Sequence, residues 1–374
     1  MFVFALTLLF ASALSSVQVR AITASVEESM AQRQIPSIAV RVDRDGTNVY
    51  ARTFGYRDLA DRVPADLATR YQYGSITKQF TGAAILTLAK EGKLSLDDPL
   101  GKWLPQFAKY PVTLRQMLVH TSGIADYSGE EWYLRKDYTN PSVGYDPLIA
   151  WSASQPLRFT PGTKAEYDNA AYTILARVIE KASGMPYFAF LSKRFLQPLH
   201  MTSVAPQTFF KIEPDTARGY MVPQPEVAAV FGISSGATLV PALEWNLTQC
   251  DGAGFLVGDT ADLQKWDDAL LSGRVLGGEI GREFRTAGRL ADGKPTYTGP
   301  ENPAHKPGVY LLGGLGLFEV DGVPVYGANG GTAGFLAFTA TIPSKHLAVT
   351  ILTNRGADLD NSKTTIPIVR ALLK

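Results

Sequence analysis

Hydrophobic and polar positions divide the chain into strand-like segments at both ends and helix-like segments in the middle. Residues 38–56 predict a β-hairpin, because two apolar runs flank Asp45-Gly46, a dipeptide that favours a tight turn between strands. Further strand-like stretches cover 309–320, 323–326, 335–342 and 347–353, and a last helix is predicted over 366–373. The two ends of the chain therefore carry the material for a sheet.

The middle of the chain predicts helices. Residues 75–90 form an uninterrupted helical stretch apart from Gly82, and Gly92 is placed to end it. An apolar stripe at helical spacing runs through 171–182, and Asp259 is placed to cap a third helix. Residues 200–245 and 277–308 are rich in Pro or Gly and are interpreted as loops or lids.

Strands at both termini with helices between them predict an α+β fold in which one sheet is assembled from the two ends. The α/β lobe would comprise 22–75 and 250–374, and the inserted helical lobe 76–249. Ligand clefts favour such a boundary between lobes.

Composition and charge narrow the functional classes. Among 374 residues, 36 basic and 35 acidic side chains give a net charge of +1, which argues against a nucleic-acid partner. A single cysteine, Cys250, cannot form an internal disulfide, and the four histidines lie far apart in the sequence. We therefore expect no metal and no cofactor.

The first 14 residues are apolar and uncharged, and they are too few to span a bilayer as an ordinary helix. Small residues at 11–13, and again in Val19-Arg20-Ala21, resemble a signal-peptidase site. We predict a signal peptide over 1–21, no stable membrane span, and export to the periplasm or the cell exterior. Signal peptides usually carry Lys or Arg before the apolar run, and this chain has neither there. The alternative is therefore a disordered or anchoring apolar tail.

The sharpest chemical pattern is Ser75-x-x-Lys78 at the start of a predicted helix. A serine hydroxyl is a weak nucleophile until a base takes its proton, and a lysine one turn away becomes such a base when desolvation lowers its pKa. The free N–H groups at a helix start favour a developing anion. The alternative is that Ser75 is only a helix cap, since the pattern is short.

Two other motifs could complete a site. Tyr167-x-Asn169 precedes the second helix; the phenol could act as an acid or base, and the amide could orient Lys78. Tyr138-x-Asn140 has the same spacing but precedes a proline, so Tyr167 is preferred. A glycine-rich strand edge includes Asn329, Gly331 and Thr332, whose backbone N–H groups could form an oxyanion hole with that of Ser75.

In this order, and with the stretch Thr113–Gly123 that contains His120-Thr121-Ser122-Gly123, these motifs resemble the serine β-lactamase-related hydrolases. That family includes class C β-lactamases, D-Ala-D-Ala carboxypeptidases, D-aminopeptidases and related esterases, and the resemblance spans about 25–370. It implies a β-lactamase/transpeptidase-like fold: an antiparallel sheet flanked by helices beside a mainly helical lobe, with the site between the lobes. It also implies acylation of Ser75 by a small-molecule or peptide substrate followed by hydrolysis, with Lys78 and Tyr167 moving protons and Asn169 binding substrate. His120 is then structural.

One residue departs from that family. Its members commonly carry Lys or His where this chain, aligned on Gly330-Gly331, has Asn329. The amide of Asn329 offers no cation to hold a substrate carboxylate, and Thr332 could only donate a hydrogen bond to that carboxylate. Tyr167 also loses one possible cationic neighbour. This favours an esterase or peptidase over a β-lactamase.

Two other functional hypotheses stay open. A catalytically inactive relative could bind peptidoglycan or a peptide in the same cleft. A Ser-His hydrolase could be built on His120 or His346, although the Gly-x-Ser-x-Gly pattern is absent around Ser75 because Thr77 occupies its last position.

Overall fold

The computed structural model describes residues 13–127, 140, 142–207, 215–225, 228–229, 232, 235–236, 238–298, 307–356 and 360–374. Most of the apolar amino-terminal segment and the alternative Tyr138 therefore lie outside the described residues. None of the helices in the described part of the chain combines the length and apolar character that a bilayer-spanning helix needs.

An eight-stranded antiparallel sheet forms the centre of the molecule. Its strands are β1 (Ser37–Arg44), β2 (Thr47–Asp58), β3 (Val63–Pro64), β9 (Val309–Tyr310), β10 (Gly316–Val320), β11 (Val323–Thr332), β12 (Phe335–Ile342) and β13 (Leu347–Thr353). They lie side by side in the order β3-β2-β1-β13-β12-β11-β10-β9. Because β1 pairs with β13, the first long strand lies beside the last, which confirms that the two ends of the chain build one sheet.

Smaller strands and the helices complete the fold. The remaining strands are β4 (Tyr71–Gln72), β5 (Ala205–Pro206), β6 (Tyr220–Met221), β7 (Val240–Pro241) and β8 (Leu256–Gly258). The helices are α1 (Ser16–Arg33), α2 (Thr77–Lys90), α3 (Leu100–Trp103), α4 (Leu114–Leu118), α5 (Asp146–Ser154), α6 (Asn169–Ser183), α7 (Tyr187–Leu191), α8 (Asp251–Gly254), α9 (Thr260–Ser272), α10 (Gly277–Phe284) and α11 (Ser362–Leu373). This is the α+β, β-lactamase/transpeptidase-like architecture that the resemblance implied.

Helices cover both faces of the sheet. On one face α1 and α11 pack together, and their buried Ile22, Val26 and Ile368 share an apolar core with strand residues such as Val40. On the other face α9 packs against β1, β12 and β13. A second, larger core joins α2, α6 and the other helices of the middle segment. The predicted boundaries between the two lobes remain a prediction.

Several predicted elements are observed with the expected ends. The 38–56 hairpin turns at Asp45 and Gly46, whose φ angles of 50° and 72° are the left-handed values that a tight two-residue turn between strands requires. Helix α6 ends at Gly184, and Asp259 caps α9 by accepting a hydrogen bond from the Asp262 N–H.

Other boundaries differ from the prediction. The stretch 309–320 is two strands, β9 and β10, because a buried turn over 311–315 interrupts it. Strand β11 runs on to Thr332, six residues past the predicted end, since its glycine-rich half pairs fully with β12. Helix α11 begins at Ser362 and contains Pro367, and residues 277–284 form α10 instead of a loop, with Ile280 and Phe284 buried in the core.

Candidate active site

Ser75 lies in a tight turn that joins the short strand β4 to α2. Residues Gly74–Ile76 form a 3₁₀ turn directly before α2, which begins at Thr77, two residues after the predicted helix start at Ser75. Gly74 has a φ of 51°, and a side chain at this position would approach the Gly331 nitrogen to 2.7 Å. The turn that presents Ser75 is therefore in backbone contact with the edge of β11 and requires glycine.

Lys78 lies one helical turn after Ser75 and is 1% exposed. Its Nζ atom is 3.1 Å from Ser75 Oγ, 2.6 Å from Asn169 Oδ1 and 3.0 Å from the Ala253 carbonyl oxygen. Desolvation by burial lowers the pKa of Lys78 to about 7, although Cys250, Asp126 and other neighbours act in the opposite direction. Near neutral pH a large fraction of this side chain is therefore an uncharged amine.

Tyr167 reaches Ser75 from the residues just before α6. Its hydroxyl donates to Ser75 Oγ at 2.6 Å, and Lys78 Nζ lies 4.7 Å from the centre of its ring. The residue is 40% exposed on its cleft side, yet the burial around its hydroxyl raises the pKa of Tyr167 above its ordinary value, while the Ser75 hydrogen bond lowers it. The Tyr167 hydroxyl therefore keeps its proton and is suited to donate it, and it does not act as a phenolate base.

Two carboxyl groups organise the start of α6, where Asn169 is the first helical residue. Asp126 accepts hydrogen bonds from the backbone nitrogens of Asn169 and Ala170, at 3.1 and 3.2 Å, and Asp168 caps the helix through the Ala171 nitrogen at 2.9 Å. Burial, followed by the charge of Asp126, raises the pKa of Asp168 to about 8. These contacts fix the backbone from which Tyr167 and Asn169 extend.

His120 supports the ring of Tyr167. Its Nδ1 accepts a hydrogen bond from the Asp168 N–H at 3.1 Å, and its ring centre lies 4.7 Å from that of Tyr167 and 4.5 Å from that of Tyr310. Burial, with a smaller contribution from the Lys78 charge, lowers the pKa of His120 well below its ordinary value. The hydrogen-bond partners of Ser75 Oγ are Lys78 and Tyr167, whereas His120 accepts from the Asp168 backbone. These contacts favour a structural role for an uncharged His120.

His346 lies elsewhere. It follows the short 3₁₀ turn Pro343–Lys345 before β13, and its Nδ1 is 2.8 Å from a carboxylate oxygen of Asp45 at the β1–β2 turn. The side chain is 71% exposed at that turn. His346 therefore lies at the β1–β2 turn and not at Ser75, which argues against a Ser-His hydrolase built on His346.

The third motif lies on β11, and its residues point to both faces of the sheet. Asn329 and Gly331 are exposed, whereas Thr332 is 3% exposed and lies on the opposite face. A side chain at Gly330 would collide with the Tyr73 carbonyl and approach the Ser75 nitrogen to 3.2 Å. The structure therefore brings Asn329 and Gly331 to the Ser75 turn, while the Thr332 side chain faces away.

A single cleft of about 480 Å³ connects these groups. Its lining includes Ser75, Lys78, Tyr167, Asn329 and Gly331, but the Thr332 side chain is not part of it. The volume falls within the range of pockets that enclose small-molecule ligands. In the described ranges no group of three or more His, Cys, Asp or Glu side chains is arranged to hold a metal ion.

Sequence reasoning missed several contributors to this site. Tyr310 lines the cleft and contacts His120, Asp126 fixes the start of α6, and the Ala253 carbonyl holds Lys78. Backbone carbonyls and isolated strand tyrosines carry no pattern in the sequence. Only Asp126 offered a signal, since an acidic residue follows His120-Thr121-Ser122-Gly123 closely.

Comparison with known proteins shows which family this chain is similar to. A family model described as Beta-lactamase matches residues 22–373. Protein flp of Staphylococcus aureus (strain NCTC 8325 / PS 47) is 29% identical over 249 residues, which cover 64% of this chain and 46% of that protein. The chain thus spans about half the length of the curated relatives it matches.

Two solved structures are similar over nearly the whole chain. The octameric penicillin-binding protein homologue from Pyrococcus abyssi is 27% identical with a TM-score of 0.78, covering 95% of this chain and 77% of that one. The D-stereospecific amidohydrolase from Streptomyces sp. is 26% identical with a TM-score of 0.76, covering 92% of this chain and 97% of that one.

Proposed function

This chain belongs to the beta-lactamase family, and from that premise we propose that it is a serine hydrolase that forms an acyl-enzyme on Ser75. The observation that carries the proposal is the position of Ser75 Oγ, 3.1 Å from Lys78 Nζ and 2.6 Å from the Tyr167 hydroxyl. The proposed reaction is hydrolysis of an ester or amide.

The contacts of Lys78 direct its lone pair toward Ser75. The Asn169 Oδ1 atom and the Ala253 carbonyl can only accept hydrogen bonds, so an uncharged Lys78 keeps its two N–H bonds pointed at them. The remaining position on Nζ, occupied by the lone pair, faces Ser75 Oγ. Lys78 is thus oriented as a general base for the serine hydroxyl.

Acylation follows from these positions. Ser75 Oγ attacks the substrate carbonyl carbon while its proton passes to Lys78, and the backbone N–H of Ser75 with one from the Gly330–Thr332 edge stabilises the oxyanion. The bond to the leaving group then breaks, and Tyr167 protonates the departing oxygen or nitrogen. Tyr167 recovers a proton from the Lys78 ammonium, which restores the neutral amine.

Deacylation uses the same groups in reverse. Water attacks the acyl carbon and gives a proton to Lys78, the carbon–Oγ bond breaks, and Ser75 regains its hydrogen. The released product is a carboxylic acid. Apart from the substrate and water, the described residues supply every group that these steps use.

The substrate class is narrower than the family's range. Asn329 places an uncharged amide in the cleft, which favours an ester or a D-amino-acid amide or peptide over a β-lactam carboxylate. The similar amidohydrolase from Streptomyces sp. is D-stereospecific by name, which supports a D-amino-acid amide among the candidates.

Replacement of Ser75 by Ala tests the mechanism. The variant should lose hydrolysis of p-nitrophenyl acetate and labelling by a fluorophosphonate while it keeps the wild-type melting temperature. Peptide mass spectrometry of the labelled wild-type protein should place the adduct on Ser75. Wild-type turnover in Ser75→Ala would disprove the acyl-enzyme mechanism.

The second candidate function is a catalytically inactive family member that binds peptidoglycan or a peptide. The neutral Asn329 favours it, because a missing cation would weaken catalysis on carboxylate-bearing substrates. A wild-type protein that is labelled by neither a fluorophosphonate nor a labelled penicillin, yet binds a D-alanyl peptide, would establish this function.

We also propose that the protein is exported. Ser15 caps α1 in a capping box with Gln18, and Leu14 is buried against the core beside α1 and α11. Cleavage after Ala13 would leave this cap intact, whereas cleavage after Ala21 would remove it. Amino-terminal sequencing of protein recovered from the periplasm or medium should therefore begin at Leu14, and retention of an intact chain in the cytoplasm would refute export.

A further inference from the structure

The cleft that contains Ser75 has a second, apolar arm beneath β11. Besides the catalytic groups, the same cavity is lined by Phe318 of β10, Phe338 of β12 and Ile366 of α11. These three side chains belong to the core between the sheet and the α1–α11 layer, on the face away from α9. The cavity therefore extends from the catalytic turn along the face of the sheet that Asn329 and Gly331 share with Phe338.

Glycine residues of β10 and β11 border this arm. Gly316 and Gly327 form the last pair of the β10–β11 ladder, and Gly331 stands opposite Leu336 of β12. A Cβ atom added at Gly316 would find its nearest neighbour, the Val309 carbonyl oxygen, at 3.7 Å, so space for a group of the substrate exists there. Gly316 thus leaves room on the β10 side of the arm.

The lining of the arm is uncharged. Phe338 is 1% exposed, and Phe318 and Ile366 are half-buried, so a group that enters the arm leaves water for aromatic and aliphatic surface. The nearby polar groups from α11 are the hydroxyls of Ser362 and Thr365. An acyl chain or aryl ring suits this surface, while a carboxylate or ammonium would be desolvated without a partner.

The position of the arm identifies the part of the substrate that it would take. Tyr167, the proposed proton donor to the leaving group, approaches Ser75 from the α6 side, whereas β11 borders Ser75 on the other. A leaving group held beside Tyr167 places the remaining carbon substituent of the carbonyl carbon, together with the oxyanion, on the β11 side of Ser75. That substituent is the acyl group.

We propose that this arm, between β10, β11, β12 and α11, is an acyl-binding pocket for an uncharged apolar acyl group of at least several carbons. The proposal rests on the proposed serine hydrolase function and adds its substrate class. It selects esters or amides of medium-chain or aryl-substituted acids over acetyl compounds.

The test measures binding, so that it is separate from turnover. Primary amides from butanamide to octanamide are titrated by calorimetry into the full chain carrying Ser75→Ala. The dissociation constant should fall about fourfold for each added methylene while the chain remains in the arm. The same series on the background of Ile366→Trp, which narrows the arm, should show a flat response.

A matched control comes from the same helix. Leu373 lies two turns after Ile366, is also half-buried against the same core, and does not line the cleft. Leu373→Trp should keep the wild-type dependence on chain length. If Ile366→Trp does not fold, Gly316→Ala provides a second narrowing of the arm, because its Cβ meets only ordinary contacts.

The outcomes separate the two proposals. A chain-length dependence without any ester or amide hydrolysis by the wild-type protein would refute the serine hydrolase and retain the apolar pocket. Hydrolysis with affinities that do not depend on chain length, or a dependence that Leu373→Trp abolishes as completely as Ile366→Trp, would overturn the acyl pocket.

Discussion

Asn361 donates a hydrogen bond from Nδ2 to Asn329 Oδ1 at 2.9 Å. The same Nδ2 donates to the Ala337 carbonyl oxygen at 3.0 Å, and a carbonyl can only accept. The amide of Asn361 therefore cannot be reversed without facing oxygen to oxygen, which in turn fixes the Oδ1 atom of Asn329 toward Asn361. The NH₂ group of Asn329 is left directed away from this contact, where it can donate to an uncharged acceptor in the cleft.

Asn329→Lys should shift specificity toward carboxylate-bearing substrates. A cation replaces a neutral donor in the cleft, so the ratio of kcat/KM for a D-alanyl peptide to that for a neutral ester should rise about tenfold, which corresponds to about 1.4 kcal/mol. Steady-state kinetics on both substrates measures the ratio. Asn329→Met is the control, because the Met side chain is similar in length to that of Lys but uncharged. An equal shift in that variant would rule out the electrostatic explanation.

The activity should depend on the ionisation of Lys78. Because burial lowers the pKa of Lys78 to about 7, the amine is protonated below that pH and free to accept a proton above it. The kcat/KM for a neutral ester should therefore rise with pH through about 7 and then level off. Lys78→Arg, which stays protonated, should lower kcat/KM at least a thousandfold, and a pH profile without an inflection near 7 in the wild type would contradict Lys78 as the base.

Tyr167→Phe should separate proton donation from packing. The substitution removes the hydroxyl that lies 2.6 Å from Ser75 Oγ and keeps the ring that stacks near His120. Loss of a general acid typically costs a hundredfold or more in rate, so kcat should fall by about that factor with little change in melting temperature. The decrease should be smaller for an ester with a p-nitrophenolate leaving group, which departs without a proton, than for an amide. Equal losses on both substrates would argue against a role in leaving-group protonation.

A buried acid pair away from the cleft makes stability depend on pH. Asp268 of α9 is hydrogen-bonded to Asp43 of β1, which also accepts from Arg41 at 3.1 Å and from Asn48 at 2.8 Å. Burial, followed by the charge of Asp43, raises the pKa of Asp268 to about 7. The folded protein keeps this proton while the unfolded chain releases it above about pH 4, so this contribution is full below pH 4 and is lost as the pH rises to about 7.

Asp268→Asn replaces the donating hydroxyl with a donating amide and removes the titration. The decrease in unfolding free energy between pH 4 and 7 should become smaller by up to about 4 kcal/mol. It should not vanish, because burial also raises the pKa of Asp168 to about 8 and of Asp251 to about 6. Urea titrations across this range measure the slope. Asp321→Asn, at an exposed pair with Arg370, is the control, and a slope unchanged by Asp268→Asn would exclude the pair as its source.

Local patterns in the sequence were sufficient for much of the fold. Two apolar runs that flank Asp45-Gly46 specify a hairpin, and a stripe closed by Gly184 specifies α6, because both patterns depend on neighbours only a few residues apart. Ser75 and Lys78 could be paired for the same reason, since one helical turn separates them. Tyr167 and Asn329 were singled out for their chemistry, and only the resemblance to a family grouped them with Ser75, because no local pattern places them beside it.

Tertiary structure decided the features that depend on distant parts of the chain. The lowered pKa of Lys78 requires burial among segments 90 or more residues away, and the orientation of Asn329 depends on Asn361 and a β12 carbonyl. Thr332 was grouped with Asn329, but the pleat of β11 turns its side chain to the opposite face. Sequence alone therefore determined which groups could react, whereas packing determined their charge and direction, because desolvation and hydrogen-bond polarity arise only when distant residues come together.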